Sequence, residues 1–421
     1  MGTKIYIILG LLWLASTSAL ADAQVPGAEV GELLVLARER NPELATMRHE
    51  AAAVVERIDS AGALADPVFR IQLQDFTNKA SGAATTLVPS EVGSTYYRVM
   101  QPLPFWGKRD LKRDIAQAEA GQAKGRSGST WADLSAKIKT DFAQYYLVTN
   151  SQKLTQEMLA LTHNLERIAK SRYATGLAPQ QDVIRAQVEQ TVLRRDLVML
   201  ETERHHSMTR LNVLLLREPY LPLAEPQRLR PLPAPARMEY SALSDLLRER
   251  NPQLYTLQAQ LAAADKNRDL TYKNRYPDFA VGVGATQMGN DIKGWELMVE
   301  FNIPVQQGAR RGMEREAENM LAAAQSRKAA AVNQLLGELA EYSAALDAAR
   351  QVEAINTNSL LPQAEATLQA AYVGYQNGKV DFSTLLEAQK QILKAKLDVL
   401  NAQAQAQISL AQIEKLLGEE L

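Results

Sequence analysis

From Gly107 to Tyr173 the chain keeps a helical pattern without one proline. At 1.5 Å per residue, a run of about 65 residues makes a rod of about 95–100 Å. No ordinary globular domain holds such a helix, so the run predicts a coiled-coil or tubular assembly. The segment Tyr173-Ala174-Thr175-Gly176-Leu177-Ala178-Pro179 then breaks the pattern. Gly176 suits a helix C-terminus and Pro179 the first turn of the next helix. Gln180 to Leu216 reads as the return, so two long helices should lie antiparallel.

The rod occurs twice. Arg38-Glu39-Arg40-Asn41-Pro42-Glu43-Leu44 reappears as Arg248-Glu249-Arg250-Asn251-Pro252-Gln253-Leu254, at an offset of 210 residues. Asp66-Pro67-Val68-Phe69 is answered by Tyr276-Pro277-Asp278-Phe279 at the same offset, and Leu103-Pro104 by Ile303-Pro304 at 200. Tyr173-Ala174-Thr175-Gly176 and Ala186-Gln187 are answered by Tyr375-Gln376-Asn377-Gly378 and Ala388-Gln389 at 202. Five landmarks in one order make a tandem duplication. Each half should hold a short helix, a β-hairpin, a very long helix, a glycine-containing turn and a returning helix. The expected division is a secretory signal over 1–23, a first repeat over 24–217, a proline-rich linker over 218–239 and a second repeat over 240–421. The hairpins fall at about 67–104 and 277–304, and the long helix pairs at about 107–217 and 309–418. Asn-Pro interrupts the first helix of each half and predicts a break there. In the second long helix Pro362 predicts a kink, and Val332, Leu335, Leu339, Tyr342, Leu346 and Ala349 step like a coiled-coil seam. In the last helix, Asp381 to Leu417, a stripe of Leu393, Leu397, Leu400 and Ala404 is expected to pack.

Within the hairpins the period changes from helical to two. Phe69, Ile71 and Leu73 alternate with Arg70, Gln72 and Gln74, and Tyr97 and Val99 flank Arg98. Trp295, Leu297, Val299 and Phe301 alternate with Glu296, Met298, Glu300 and Asn302. One face is thus apolar and aromatic and the other polar. No stretch reaches the roughly 18 apolar residues of a membrane helix, so any crossing must be by strands of a closed barrel. Four strands cannot close one, since about eight are the minimum. Two copies would give eight strands and three would give 12; about 12 helices suit a wide tube better and favour the trimer. The apolar row would then face lipid. Arg70, Gln72, Gln74, Arg98, Glu296 and Glu300 would face a water-filled lumen.

Composition removes other classes. The net charge of −1 offers nothing to a nucleic acid. With no cysteine there is no disulfide framework, thiolate metal site, cysteine nucleophile or lipidated cysteine. At the N-terminus, Lys4, an apolar core from Ile5 to Ala15 and small residues at Ala19, Ala21 and Ala23 read as a secretory signal. Adjacent His205 and His206 point about 100° apart on a helix and are poorly set to chelate together. Met288, Met298, Met313 and Met320 are scattered and read as packing. No catalytic constellation is present, and neither cofactor nor metal is expected.

The duplicated Asn-Pro-x-Leu resembles a motif of the TolC family of outer-membrane efflux channels. So do Leu103-Pro104 before Gly107-Lys108-Arg109, Ile303-Pro304 before Gly308-Ala309-Arg310, and the paired Tyr-x-x-Gly turns followed by Ala-Gln. The resemblance covers essentially the whole chain after the signal. It implies a mainly α fold with a small β part, and a homotrimeric channel-tunnel with a 12-stranded barrel in the outer membrane of a Gram-negative bacterium. A periplasmic α-barrel would dock to a periplasmic adaptor (a membrane fusion protein) and an inner-membrane RND-type transporter. Gln101 to Lys108 looks most like the heavy-metal and cation branch. The resemblance places Gly176, Leu177, Gly378 and Lys379 at the helix-turn tips that meet the adaptor. It places the acidic constriction on the helix after the second turn, at Thr384 and Glu387. Since one of these is threonine, three copies of Glu387 would make a single acidic ring. Asp182 would pair with a neighbouring helix or with Arg185 on its own. The competing reading is a structural periplasmic coiled-coil protein whose hairpins serve assembly; the aromatic-rich alternating hairpins favour the channel.

Overall fold

The structure, a computed structural model, describes residues 25–79, 82 and 84–421. The expected signal, 1–23, lies outside the described residues. Each half begins with two helices meeting at Asn-Pro: α1 (Val30–Arg40) and α2 (Pro42–Ala61), then α5 (Tyr240–Arg250) and α6 (Pro252–Lys273). The proline is more than a bend. It occupies the first position of the second helix, where its missing N–H costs nothing. The asparagine before it caps that helix: Asn41 Oδ1 accepts from Leu44 N at 3.1 Å, and Asn251 Oδ1 from Leu254 N at 2.7 Å. The amide of each reaches across to the end of the returning helix of its own half, Asn41 to Leu214 O at 3.4 Å and Asn251 to Leu416 O at 2.7 Å. The repeated heptapeptide is therefore a joint.

The strands form one antiparallel sheet in the order β1 (Val68–Gln74), β2 (Ser94–Leu103), β3 (Phe279–Met288) and β4 (Asp291–Phe301). The middle ladder, β2 against β3, joins the two halves. Among the described residues, β1 and β4 have unpaired outer edges.

From the sheet, α3 (Lys108–Ala174) runs 67 residues, about 100 Å, and α4 (Gln180–Leu214) returns along it. In the second half the descending rod is α7 (Gln307–Ile355) and α8 (Leu361–Gln376), and α9 (Phe382–Leu417) returns. The expected kink at Pro362 is resolved by a π-helical turn, Asn356–Leu360, just before the proline. That turn absorbs the carbonyls a proline cannot serve. Both rods end on the same glycine turn. Gly176 (φ +74°) and Gly378 (φ +67°) take the left-handed conformation. The next N–H reaches back five residues to close each end, Leu177 N to Arg172 O and Lys379 N to Gly374 O, both at 2.8 Å.

The core is strung along the rods as four separate clusters rather than gathered in one centre. Two lie near the Asn-Pro joints. One surrounds Leu33, Ile138, Phe142, Tyr145 and Leu211; the other surrounds Leu247, Leu335, Leu339, Leu346 and Leu410. Two more lie toward the tips, around Met158 and Ile392 and around Leu165, Tyr375 and Phe382. In the seam of α7, Leu335, Leu339, Leu346 and Ala349 are buried, with Val332 and Tyr342 half-buried against them. Of the expected stripe of α9 only Ala404 is fully buried; Leu393, Leu397 and Leu400 are half-exposed, and Ile392, Ala395 and Ala402 are buried beside them. Close helix neighbours on several sides favour alanine at the contacts.

Candidate channel surfaces

The register separates the sheet into two chemistries. Phe69, Val99, Val283 and Leu297 stand side by side across all four strands, as do Ile71, Tyr97, Ala285 and Trp295. This face is open: Phe69 is 61% exposed, Leu297 76% and Trp295 78%. On the opposite face the row is Arg70, Arg98, Gly284 and Glu296, with Gln72 beside Tyr96 and Gln74 beside Ser94. Arg98 donates to Glu296 Oε2 at 3.4 Å and to Gln72 Oε1 at 3.2 Å, and its guanidinium lies 4.8 Å from the Tyr96 ring centre. Gly284 makes that crossing possible. A Cβ there would sit 3.1 Å from Arg98 Cγ, squarely in the path from β2 to β4. Glu300 shares the face four residues beyond Glu296. Edge strand β1 thus presents Arg70 on the polar face, and edge strand β4 presents Glu296 and Glu300.

At the far end of the rods the two glycine turns lie together. Arg172 donates to Gln376 O at 2.7 Å and to Leu177 O at 3.3 Å, bridging the first tip to the second. Its guanidinium lies 5.1 Å from the Tyr375 ring centre. Gly176, Leu177, Gly378 and Lys379 are all exposed there, Leu177 by 67%. Just inside, α3, α4, α8 and α9 make a four-helix bundle around Leu165, Ala169, Val183, Ala186, Tyr375 and Phe382. Asp182 is buried in that bundle, and of its two expected partners the neighbouring helix supplies the contact, as a hydrogen bond from α8, rather than Arg185 on its own helix. The Tyr375 hydroxyl donates to Asp182 Oδ2 at 3.1 Å. Burial and the adjoining carboxylate push the Tyr375 hydroxyl up to about 12. It therefore stays a proton donor at any physiological pH. Arg185 instead lies against the side-chain oxygen of Gln181.

Thr384 and Glu387 are exposed, on α9, on the outside of this bundle. Glu387 lines a groove between α4 and α9 with Ile184, Val188, Glu189 and Lys390. Lys390 pairs with Glu189 at 3.0 Å, and Glu387 accepts only a 3.5 Å contact from Gln391. Among the described residues Glu387 has no ion-pair partner.

Two buried polar clusters have no trace in the sequence pattern. Glu166 of α3 accepts from Gln187 (2.9 Å) and Gln190 (2.7 Å) of α4 and pairs with Lys170 at 2.7 Å. The lysine bond, then the two amides, hold its carboxyl down to about 2. Nearer the Asn-Pro joints, Glu414 of α9 pairs with Lys139 of α3 at 2.8 Å and takes both arms of Arg230 from the linker, at 3.1 and 3.0 Å. Burial alone would raise the Glu414 carboxyl, but Arg230 and Lys139 outweigh it and leave it below the usual range. Among the described residues no group of three acidic or histidine side chains is set to hold a metal ion. No helix there is long and apolar enough to cross a membrane.

Four strands with an exposed apolar face, carried on rods about 100 Å long, define a subunit of a channel-tunnel. The chain belongs to the outer membrane efflux protein family, whose sequence model matches residues 33–215 and 243–419. It is 23% identical over 326 residues to the cobalt-zinc-cadmium resistance protein CzcC of Cupriavidus metallidurans, covering 75% of each chain. To the outer membrane protein TolC of Vibrio cholerae it is 21% identical over 428 residues, covering 98% of this chain and 95% of that one. The crystal structure of the outer membrane protein VceC from Vibrio cholerae superposes with a TM-score of 0.76 at 17% identity, covering 93% and 96% of the two chains. The fold is therefore TolC-like, mainly helical with a small sheet, and family and fold are those of channel proteins.

Proposed function

We propose that the chain is the passive exit duct of a tripartite efflux system. Three copies join their sheets into a 12-stranded barrel in the outer membrane and their rods into a periplasmic tube. The observation that carries this reading is the two-faced sheet with unpaired edges. An apolar face this open is unstable in water, and unpaired strand edges are not tolerated in lipid. Head-to-tail closure answers both. It sets the β4 edge of one copy, with Glu296 and Glu300, against the β1 edge of the next, with Arg70, so the polar faces meet with opposite charge. Arg70, Gln72, Gln74, Arg98, Glu296 and Glu300 then line a wet lumen.

In this reading the exposed tip residues Gly176, Leu177, Gly378 and Lys379 meet a periplasmic adaptor, which couples the duct to an inner-membrane RND-type pump. Asp182, Thr384 and Glu387 lie at the narrow periplasmic entrance. Residues 24–217 and 240–421 are the two repeats, and 1–23 directs secretion. The likeness to CzcC supports metal cations as cargo, with small toxic compounds as the alternative. Fractionation tests the proposal. An outer-membrane trimer that shifts mobility on heating and conducts ions in planar bilayers is expected. A soluble monomer in the periplasmic fraction would leave the structural coiled-coil reading in its place.

A further inference from the structure

Where the sheet joins the rods, on its apolar side, there is a pocket of about 570 Å³, within the usual size of a small-molecule site. Its wall is the lower end of the exposed apolar face: Leu103 of β2, Phe279 and Val281 of β3, and Val299 of β4. The opposite side is different in kind. It carries Trp106 and the first turns of α3, with the guanidinium groups of Arg109 and Arg113 and the carboxylate of Asp110, a net charge of +1.

The cationic side is built rather than loose. Arg109 Nε donates to Gly62 O at 2.8 Å, at the C-terminus of α2, where backbone carbonyls favour a cation. Arg113 lies across the same glycine. Its Nε would be 3.0 Å from a Cβ at position 62, so glycine there lets the guanidinium lie close without shifting. Among the described residues Arg113 has neither a hydrogen-bond nor an ion-pair partner. The aromatic rim is equally fixed. Phe105 stacks on Tyr276 with ring centres 4.5 Å apart, and Trp106 sits 5.6 Å from Phe279. Lys273 Nζ donates to Trp106 O at 3.1 Å, and Asp278 Oδ1 accepts from Phe105 N and Lys108 Nζ, both at 2.8 Å. Trp106 nevertheless remains 75% exposed.

We propose that this pocket binds the phosphate-bearing headgroup of a membrane phospholipid, with Arg109 and Arg113 holding the phosphate, Trp106 at the glycerol level and the acyl chains rising along Val281 and Val299. The inference rests on the channel reading, which puts the apolar face in lipid. The charge arrangement and the wall commit it to an amphiphile: a protein partner would not need an apolar wall continuous with the lipid-facing surface, and a free anion would not need the wall at all. An indole at the polar edge of an apolar surface is the usual membrane-interface arrangement. Each copy would then be clamped to the periplasmic leaflet, which fixes the height of the barrel in a chain that has no cysteine for lipidation.

Delipidated, detergent-solubilised full-length protein is titrated with dioleoylphosphatidylglycerol and, separately, with dioleoylglycerol, and bound lipid is counted by native mass spectrometry. Planar-bilayer conductance is recorded on the same preparations. Arg113→Gln should bind the phospholipid about threefold more weakly, as the loss of one partly exposed ion pair implies, with Arg113→Lys restoring most of it and conductance unchanged. The neutral diacylglycerol should bind weakly and alike to wild type and R113Q. Trp106→Ala, which keeps the backbone carbonyl that Lys273 binds, should weaken both lipids. Equal phospholipid binding by wild type and R113Q would overturn the site. So would diacylglycerol binding as tightly as the phospholipid, or inorganic phosphate displacing the lipid at equal concentration. A wild-type protein that does not conduct would overturn the channel reading instead, and the lipid count would still decide the site.

Discussion

The Tyr375 hydroxyl and the Asp182 carboxylate, 193 residues apart in sequence, meet at 3.1 Å inside the bundle that closes the far end of the rods. One belongs to the descending rod of the second half and the other to the returning helix of the first. Their bond therefore ties the two helix pairs at the end where a tube would have to widen. Arg172, spanning from its own tip to Gln376 O, is a second tie between the same pairs.

Tyr375→Phe keeps the ring and its packing on Phe382 but leaves a buried carboxylate without its donor. An unsatisfied buried acceptor costs about 1–3 kcal/mol, which weakens the tie between the two helix pairs at the tip. Single-channel conductance in planar bilayers should rise in Y375F and rise further when Arg172→Ala is added. A conductance equal to wild type in both variants would show that these bonds do not hold the entrance.

Among the described residues Glu387 forms no ion pair, although Arg185 and Lys390 line the same groove. Three copies around an axis would form an acidic ring, which attracts cations and repels anions. Glu387→Ala should raise conductance and reduce the preference for potassium over chloride, read as a shift of reversal potential in a salt gradient. Thr384→Ala, one turn away and uncharged, should leave the reversal potential unmoved. If the two variants behave alike, the ring is elsewhere.

The Glu414 knot makes an acid-sensitive joint. Because the carboxyl is held below its ordinary value in the folded chain, its stabilisation is complete above about pH 4.5 and is lost as pH falls through the folded value. Glu414→Gln strands Lys139, only 3% exposed, with Glu420 as its remaining partner. Breaking one side of a buried pair costs on the order of 3 kcal/mol. The melting temperature followed by circular dichroism should drop at pH 7, and the gap between E414Q and wild type should narrow as pH falls below about 4.5. A gap independent of pH would mean that the loss is one of packing.

How much of this was legible in the chain depends on the range of each interaction. The strand faces could be read because alternation is local: Phe69 to Gln74 states its two sides within six residues. The tips could be read because the left-handed turns at Gly176 and Gly378 require a residue type. The Tyr375–Asp182 bond, the Glu166 cluster and the Lys139–Glu414 pair could not, because their partners are set by which helix faces which, and glutamate and lysine on a helix look alike whether buried or solvated. The packed face of α9 is only partly legible for a related reason. Its leucines are half-exposed, and beside Ala404 of the stripe Ala395 and Ala402 do the packing, where alanine carries little hydropathy to betray it. At Asn41 and Asn251 the sequence predicts the break, but the capping role of the asparagine is hidden behind the proline that follows.

That repeated asparagine yields an asymmetric prediction. In both halves it caps a helix and ties it to the end of a returning one, but the bonds are shorter in the second half, 2.7 Å for both, than in the first, 3.1 and 3.4 Å. Asn251 is also the more buried, at 4% against 9% exposed. Losing a cap costs about 1 kcal/mol, and a buried carbonyl left without its donor about 1 kcal/mol more. Asn251→Ala should therefore destabilise the chain by about 2 kcal/mol and Asn41→Ala by about 1 kcal/mol, measured from the urea midpoint of the helical signal. Asn→Asp at either site keeps the cap but replaces the amide donor with an acceptor facing a carbonyl, so in the second half it should cost at least as much as alanine. Equal losses for N41A and N251A would show that the two joints carry the same load despite their geometry.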